Sequence, residues 1–70
     1  MTISQKVKHF RYEKGVTQKQ FADLAGLTRE TINAVENDYV ENPGLDTLAG
    51  IAKAMQITID ELVDTSRDEE

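Results

Sequence analysis

The stretch Thr17–Asn37, TQKQFADLAGLTRETINAVEN, decides the fold. Thr17-Gln18-Lys19-Gln20 has the form of a capping box, in which a hydroxyl accepts from the third amide of a helix and the third side chain reaches back to the cap. From there Phe21, Leu24 and Ala25 carry a short helix. Gly26 ends it, Leu27 adds an apolar residue, and Thr28 is placed to cap a further helix that turns Ile32 and Val35 inward before Asn37 and Asp38 end it. Two short helices joined by a glycine-containing turn of about three residues are therefore predicted.

Outward from this centre the same signals recur. From about Ser4 to Lys14, Val7 and Phe10 repeat at helical spacing, and Gly15 supplies a left-handed stop. Downstream, Asp38 to Gly44 reads as a polar loop ending in Asn42-Pro43-Gly44, after which Leu45, Leu48, Ile51, Ala52 and Met55 trace the inward stripe of a fourth helix. Gly50 falls inside that helix, and Phe21 and Met55 are expected in the core. Thr58-Ile59-Asp60-Glu61 is a second capping box, opening a short fifth helix through Leu62 and Val63. Alternation over a strand's length is confined to Gln56–Asp60, which is read as a helix boundary. The expectation is an all-α, compact five-helix bundle over residues 1–63, with an acidic tail over 64–70 that frays.

A chain of 70 residues, 39% of them apolar, holds one small domain and excludes most enzyme architectures. With no cysteine and a single histidine, it has no disulfide framework, no zinc finger of the Cys/His kinds and no thiol nucleophile. His9 has no partner ligands at a recognisable spacing and reads as solvated; neither a metal nor a catalytic site is expected. Apolar runs are too short for a membrane span or a signal-peptide core, so a soluble cytoplasmic protein is expected. No separate sensor, cofactor or small-molecule ligand is expected. The net charge of −5 at first argues against a polyanionic partner, but its distribution is uneven. Residues 1–40 hold six cationic side chains against five carboxylates, whereas residues 41–70 hold two against eight. If the two segments occupy opposite sides of the fold, one can meet a polyanion while the other keeps the protein soluble.

The central pair of helices has the parts of a helix-turn-helix unit, in which the second helix lies in the DNA major groove. Ala22 provides the small residue where the helices cross, Gly26 takes the turn, and Phe21, Ala25, Leu27, Ile32 and Val35 pack them onto their neighbours. With Ile32 and Val35 inward, a step of about 100° per residue leaves Arg29, Glu30, Asn33, Ala34 and Asn37 outward. Arg29 suits guanine, Glu30 the cytosine amino group, Asn33 an adenine edge, and Ala34 a thymine methyl. The amino end of the preceding helix, at Gln18, presents unpaired amides to a phosphate, and Lys19, Thr28, Asn37 and Tyr39 are further phosphate candidates. The plain alternative for Arg29, Glu30 and Asn33 is a solvated helix face.

The segment from Phe10 to Val63 resembles a Cro/CI-type (XRE-family) helix-turn-helix domain, carried by RYEKGVTQKQFADLAGLTRETINAVEN (residues 11–37) and NPGLDTLAGIAKAMQITIDELV (residues 42–63). The resemblance implies a bundle of the lambda-repressor-like type and an ion pair between Arg11 and Glu36. It also implies a homodimer on inverted-repeat double-stranded DNA, acting as a bacterial or phage transcriptional regulator, most often a repressor. Three positions depart from the family pattern. The loop after the recognition helix reads Asp38-Tyr39-Val40-Glu41, with two carboxylates and one extra residue; Gly44 stands where a serine usually caps the fourth helix; and Glu30 is acidic where glutamine is frequent. Moderate affinity and strong salt sensitivity are expected from them. Ile57, Ile59, Leu62 and Val63 exceed what one short helix needs for packing, which makes them the expected dimer seam, unless all of them cover the first and fourth helices. The competing function is a protein-interaction module on the same fold, such as an antitoxin or a co-regulator with weak DNA binding.

Overall fold

The computed structural model describes residues 2–40 and 43–64, which form five α-helices: α1 (Ile3–Lys14), α2 (Gln18–Ala25), α3 (Arg29–Glu36), α4 (Leu45–Met55) and α5 (Ile59–Val63). Helices this short are marginal in isolation, so end caps and packing must hold them. Three carry a reciprocal capping box: Thr2 with Gln5, Thr17 with Gln20, and Thr58 with Glu61. In α2 the Thr17 hydroxyl accepts from the Gln20 amide at 3.1 Å, while Gln20 Oε1 accepts from the Thr17 amide at 2.8 Å. The box at Thr2 starts α1 one residue before the position expected from apolar spacing. Gly44 caps α4 without a side-chain hydrogen bond.

Each helix contributes one large, fully buried side chain to the centre: Val7, Phe21, Ile32, Ile51 and Leu62. Burial of each is worth about 1.5–3 kcal/mol. Phe10 packs edge-on against Phe21, their ring centroids 5.7 Å apart. Leu48, Met55, Ile57 and Ile59 line this centre in half-buried positions. Leu45 does not join them. The stripe of α4 reaches the surface at its first turn, where Gly44, Leu45 and Asp46 are all exposed, and Leu45 keeps 69% of its surface.

Two tertiary contacts fix the frame. A Cβ built at Gly50 would stand 2.5 Å from the carbonyl oxygen of Ala25, so hydrogen at this position lets α4 lie directly against the end of α2. The Lys6 ammonium donates to the carbonyl oxygens of Glu61, Leu62 and Asp64 at 2.9, 3.0 and 2.8 Å, closing the carboxyl end of α5 onto α1. Asp64, the first residue of the expected tail, also donates its amide to the Asp60 carbonyl at 3.0 Å. The expected fraying tail otherwise falls on residues 65–70, and Glu41 and Asn42 of the expected polar loop also lie outside the described residues.

Candidate nucleic-acid interface

Helices α2 and α3 meet through a turn whose geometry is local in origin. Gly26 ends α2 at φ 70°, a left-handed conformation that glycine enters without penalty, and its amide donates back toward Ala22 and Asp23. The Leu27 amide donates to Ala22 at 2.9 Å, and Thr28 caps α3 by accepting from the Thr31 amide at 3.2 Å. Phe21, Ala22, Ala25, Ile32 and Val35 are buried at the seam. The outward side of α3 then follows from its register.

On that side Arg29, Glu30 and Asn37 are exposed, while Asn33 and Ala34 are half-buried. The side chains of Arg29 and Glu30 form no ion pair or hydrogen bond among the described residues. Lys19 is exposed and lies 3.8 Å from Asp23 in an open i,i+4 pair of little energetic weight. Tyr39 is exposed beyond the end of α3, its amide bonded to Ala34. Asp38 adopts φ 57° and accepts from the buried Ser4 hydroxyl at 3.4 Å, which ties this carboxylate to the start of α1.

Behind the outward side lies a polar lock. Arg11 Nε and Nη2 donate to the two oxygens of Glu36 at 2.6 and 3.0 Å, and Arg11 Nη1 donates to the Val16 carbonyl at 3.1 Å. Side-chain exposure is 12% for Arg11 and 3% for Glu36, so this bidentate pair is largely removed from water. Burial pushes the Glu36 carboxyl upward, but hydrogen bonds from Arg11 and Gln18, the Arg11 charge and the nearby Lys8 outweigh it and hold the group below its ordinary value. Arg11 is raised in turn, chiefly by its bond to Glu36. Among the described residues no buried side-chain polar atom lacks a partner.

The amide of Gln18 stands at the amino end of α2, where a phosphate contact is expected, and its side chain bridges the lock to α3. Its Nε2 donates to Glu36 Oε1 at 3.1 Å and to Asn33 Oδ1 at 3.3 Å. Asn37 Nδ2 donates to the Asn33 carbonyl at 2.8 Å and to Asn33 Oδ1 at 3.1 Å. The 15-residue separation of Gln18 and Asn33 leaves no periodic signal, and this bridge was invisible in the sequence. Of the four expected seam residues, Leu62 must be withdrawn: it is wholly enclosed in its own core and has no surface for a second chain. Ile57 and Ile59 are half-buried, and Val63 is 43% exposed beside a depression of about 240 Å³ shared with Ile3, Val35 and Val40.

No three acidic or histidine side chains converge as a metal site among the described residues, and no helix there is long and apolar enough to cross a membrane. What the fold presents is a capped helix pair with one helix face outward. The helix-turn-helix family pattern matches residues 7–62, and the chain belongs to that family. It is 38% identical over 63 residues to the immunity repressor protein of Bacillus phage phi105, covering 90% of this chain and 43% of the repressor. It is also similar to the regulator SinR of Bacillus subtilis. The N-terminal DNA-binding domain of SinR superposes with a TM-score of 0.80 at 25% identity, covering 91% of this chain and 93% of that one. SinR in complex with DNA superposes with a TM-score of 0.78 at 25% identity, covering 90% and 100%. The chain spans 43% of the phage repressor and 61% of full SinR.

Proposed function

We propose that this chain is a sequence-specific DNA-binding transcriptional regulator, a repressor in its commonest mode, that works in the cytoplasm as a homodimer on an inverted-repeat operator. The observation that carries this reading is the contrast on α3: Ile32, Val35 and Glu36 are buried and locked, while Arg29 and Glu30 stand exposed with no partner among the described residues. The likeness to SinR bound to DNA supports it. In this reading Arg29, Glu30, Asn33 and Ala34 meet base edges in the major groove. The amides of Gln18 and Lys19, which the Thr17 box leaves open, meet a phosphate, with Lys19, Thr28, Asn37 and Tyr39 as flanking donors. Val63, with the exposed edges of Ile57 and Ile59, forms the dimer seam.

The test is selection from a random DNA library at two salt concentrations. An enriched inverted repeat with half-sites about one helical turn apart supports the dimeric reader. Its affinity should fall with salt on a log–log plot by about 0.9 per phosphate contact. No enrichment at either salt, with salt-insensitive binding to a protein partner, would replace this reading with a protein-interaction module.

A further inference from the structure

An Asn side chain reads adenine with both of its ends, accepting from N6–H and donating to N7, and this requires a free lone pair on Oδ1. At Asn33 neither lone pair is free. Oδ1 already accepts from Gln18 Nε2 at 3.3 Å and from Asn37 Nδ2 at 3.1 Å, which uses its full acceptor capacity. The assignment of nitrogen and oxygen follows from chemistry, starting at Glu36. An ionised carboxylate accepts only, so the Gln18 atom beside Glu36 Oε1 must be the Nε2 donor; the same nitrogen faces Asn33, whose facing atom must therefore be Oδ1. Arg11 donates to both oxygens of the carboxylate, so Oε1 accepts from Arg11 Nη2 and Gln18 Nε2 together.

We propose that the buried Arg11–Glu36 pair sets the polarity of the reading surface: acting through Gln18, it orients Asn33 so that Nδ2 alone faces the groove and selects a base edge that offers an acceptor. Glu36 and Gln18 are positioning residues, and Asn33 is the specificity residue they act on. Guanine O6 and N7, adenine N7 and thymine O4 satisfy such a donor, whereas the cytosine amino group opposes it. This inference rests on α3 being the DNA-reading helix. It replaces the bidentate adenine contact expected from the residue type with a one-ended contact.

The relay makes a specific demand of the Gln18 side chain. Removing its amide takes away the donor that links Glu36 Oε1 to Asn33 Oδ1, and Asn33 is then free to turn its oxygen toward the groove. The experiment measures relative affinity for all four bases at each position of the selected site, for the native chain, Asn33→Ala, Gln18→Met and Gln18→Ala. Both Gln18 variants leave the Arg11–Glu36 ion pair in place, so the relay is cut without removing the lock. The position altered by Asn33→Ala identifies the contacted base. There the native chain should disfavour cytosine about tenfold against its best base, and adenine should exceed guanine by no more than about threefold, since each good base contact is worth ~1–3 kcal/mol. In both positioning variants the bias against cytosine should fall to about twofold or reverse, while preferences elsewhere in the site keep their order.

A native preference for adenine over guanine of tenfold or more overturns the proposal, as does an unchanged cytosine bias in either folded variant. In those cases the DNA-reading role of α3 survives. If the native chain selects no sequence at all, both fall together.

Discussion

The two sides of α3 are held in opposite ways. One side, with Ile32, Val35 and Glu36, is enclosed by hydrophobic neighbours and a bidentate ion pair; the other, with Arg29 and Glu30, meets only solvent among the described residues. In the proposed reading, a helix of eight residues separates stability from recognition across its own diameter. Substitutions on the inward side should change folding first and binding as a consequence. Those on the outward side should change binding and leave folding alone. Asn33 and Asn37 lie at the boundary, where the lock reaches the surface through Gln18.

The largest effect should come from Glu36→Ala. Removing one partner of a buried pair costs about 3–5 kcal/mol, because the remaining charge stays buried and unpaired. A core of this size supplies only about 3–5 kcal/mol in total, so the melting transition followed by circular dichroism should drop by more than about 15 °C or disappear. A shift below about 4 °C would show that the inward side is not locked by this pair. Gly50→Ala comes next. The added carbon meets a backbone oxygen, which cannot swing aside, and the loss should be about 1–3 kcal/mol in chemical denaturation. The comparison is sharpened by Lys19→Ala, which removes one exposed ion pair and should change stability by less than about 0.5 kcal/mol while lowering the salt slope of DNA binding by about one phosphate.

Acid titration separates the sides by charge. The Glu36 carboxyl is held below its ordinary value, so its contribution is complete above the unfolded carboxylate range near pH ~4.3 and is lost as pH falls through the depressed folded value. Between about pH 5 and pH 2 the native chain should therefore lose melting temperature faster than Glu36→Gln, which has no proton to take up at that site. The groups facing Glu36 are Arg11, Lys8 and Gln18. Parallel curves would place the carboxylate outside the lock.

The inward side of the helix pair was largely legible in the sequence, because its signals are local. Thr17, Gly26 and Thr28 announce helix ends through bonds to neighbours three or four residues away, and Phe21, Ala25, Ile32 and Val35 announce a face through spacing. Leu45 obeys the same spacing and is nonetheless exposed, since periodicity marks a stripe without saying where the helix outruns its neighbours. Leu62 misleads in the opposite direction: its apolar character suggested a seam between chains, and the core of its own chain takes it up completely. The need for hydrogen at Gly50, the Lys6 clasp on α5 and the Gln18 bridge all join residues distant in sequence, so no local pattern carries them. The Arg11–Glu36 pair came into view through family resemblance rather than spacing, and its burial gives it weight that an exposed pair lacks.

The central claim is that recognition resides on the outward side of α3 and is separable from folding. Arg29→Ala tests it most directly, with competition binding across single-base variants of the selected site and a melting curve on the same sample. The expected result is a loss of ~1–3 kcal/mol of discrimination at one base position, with other positions unchanged and stability within about 0.5 kcal/mol of native. An equal loss at every sequence, or a lowered melting temperature that accounts for the weakened binding, would contradict it.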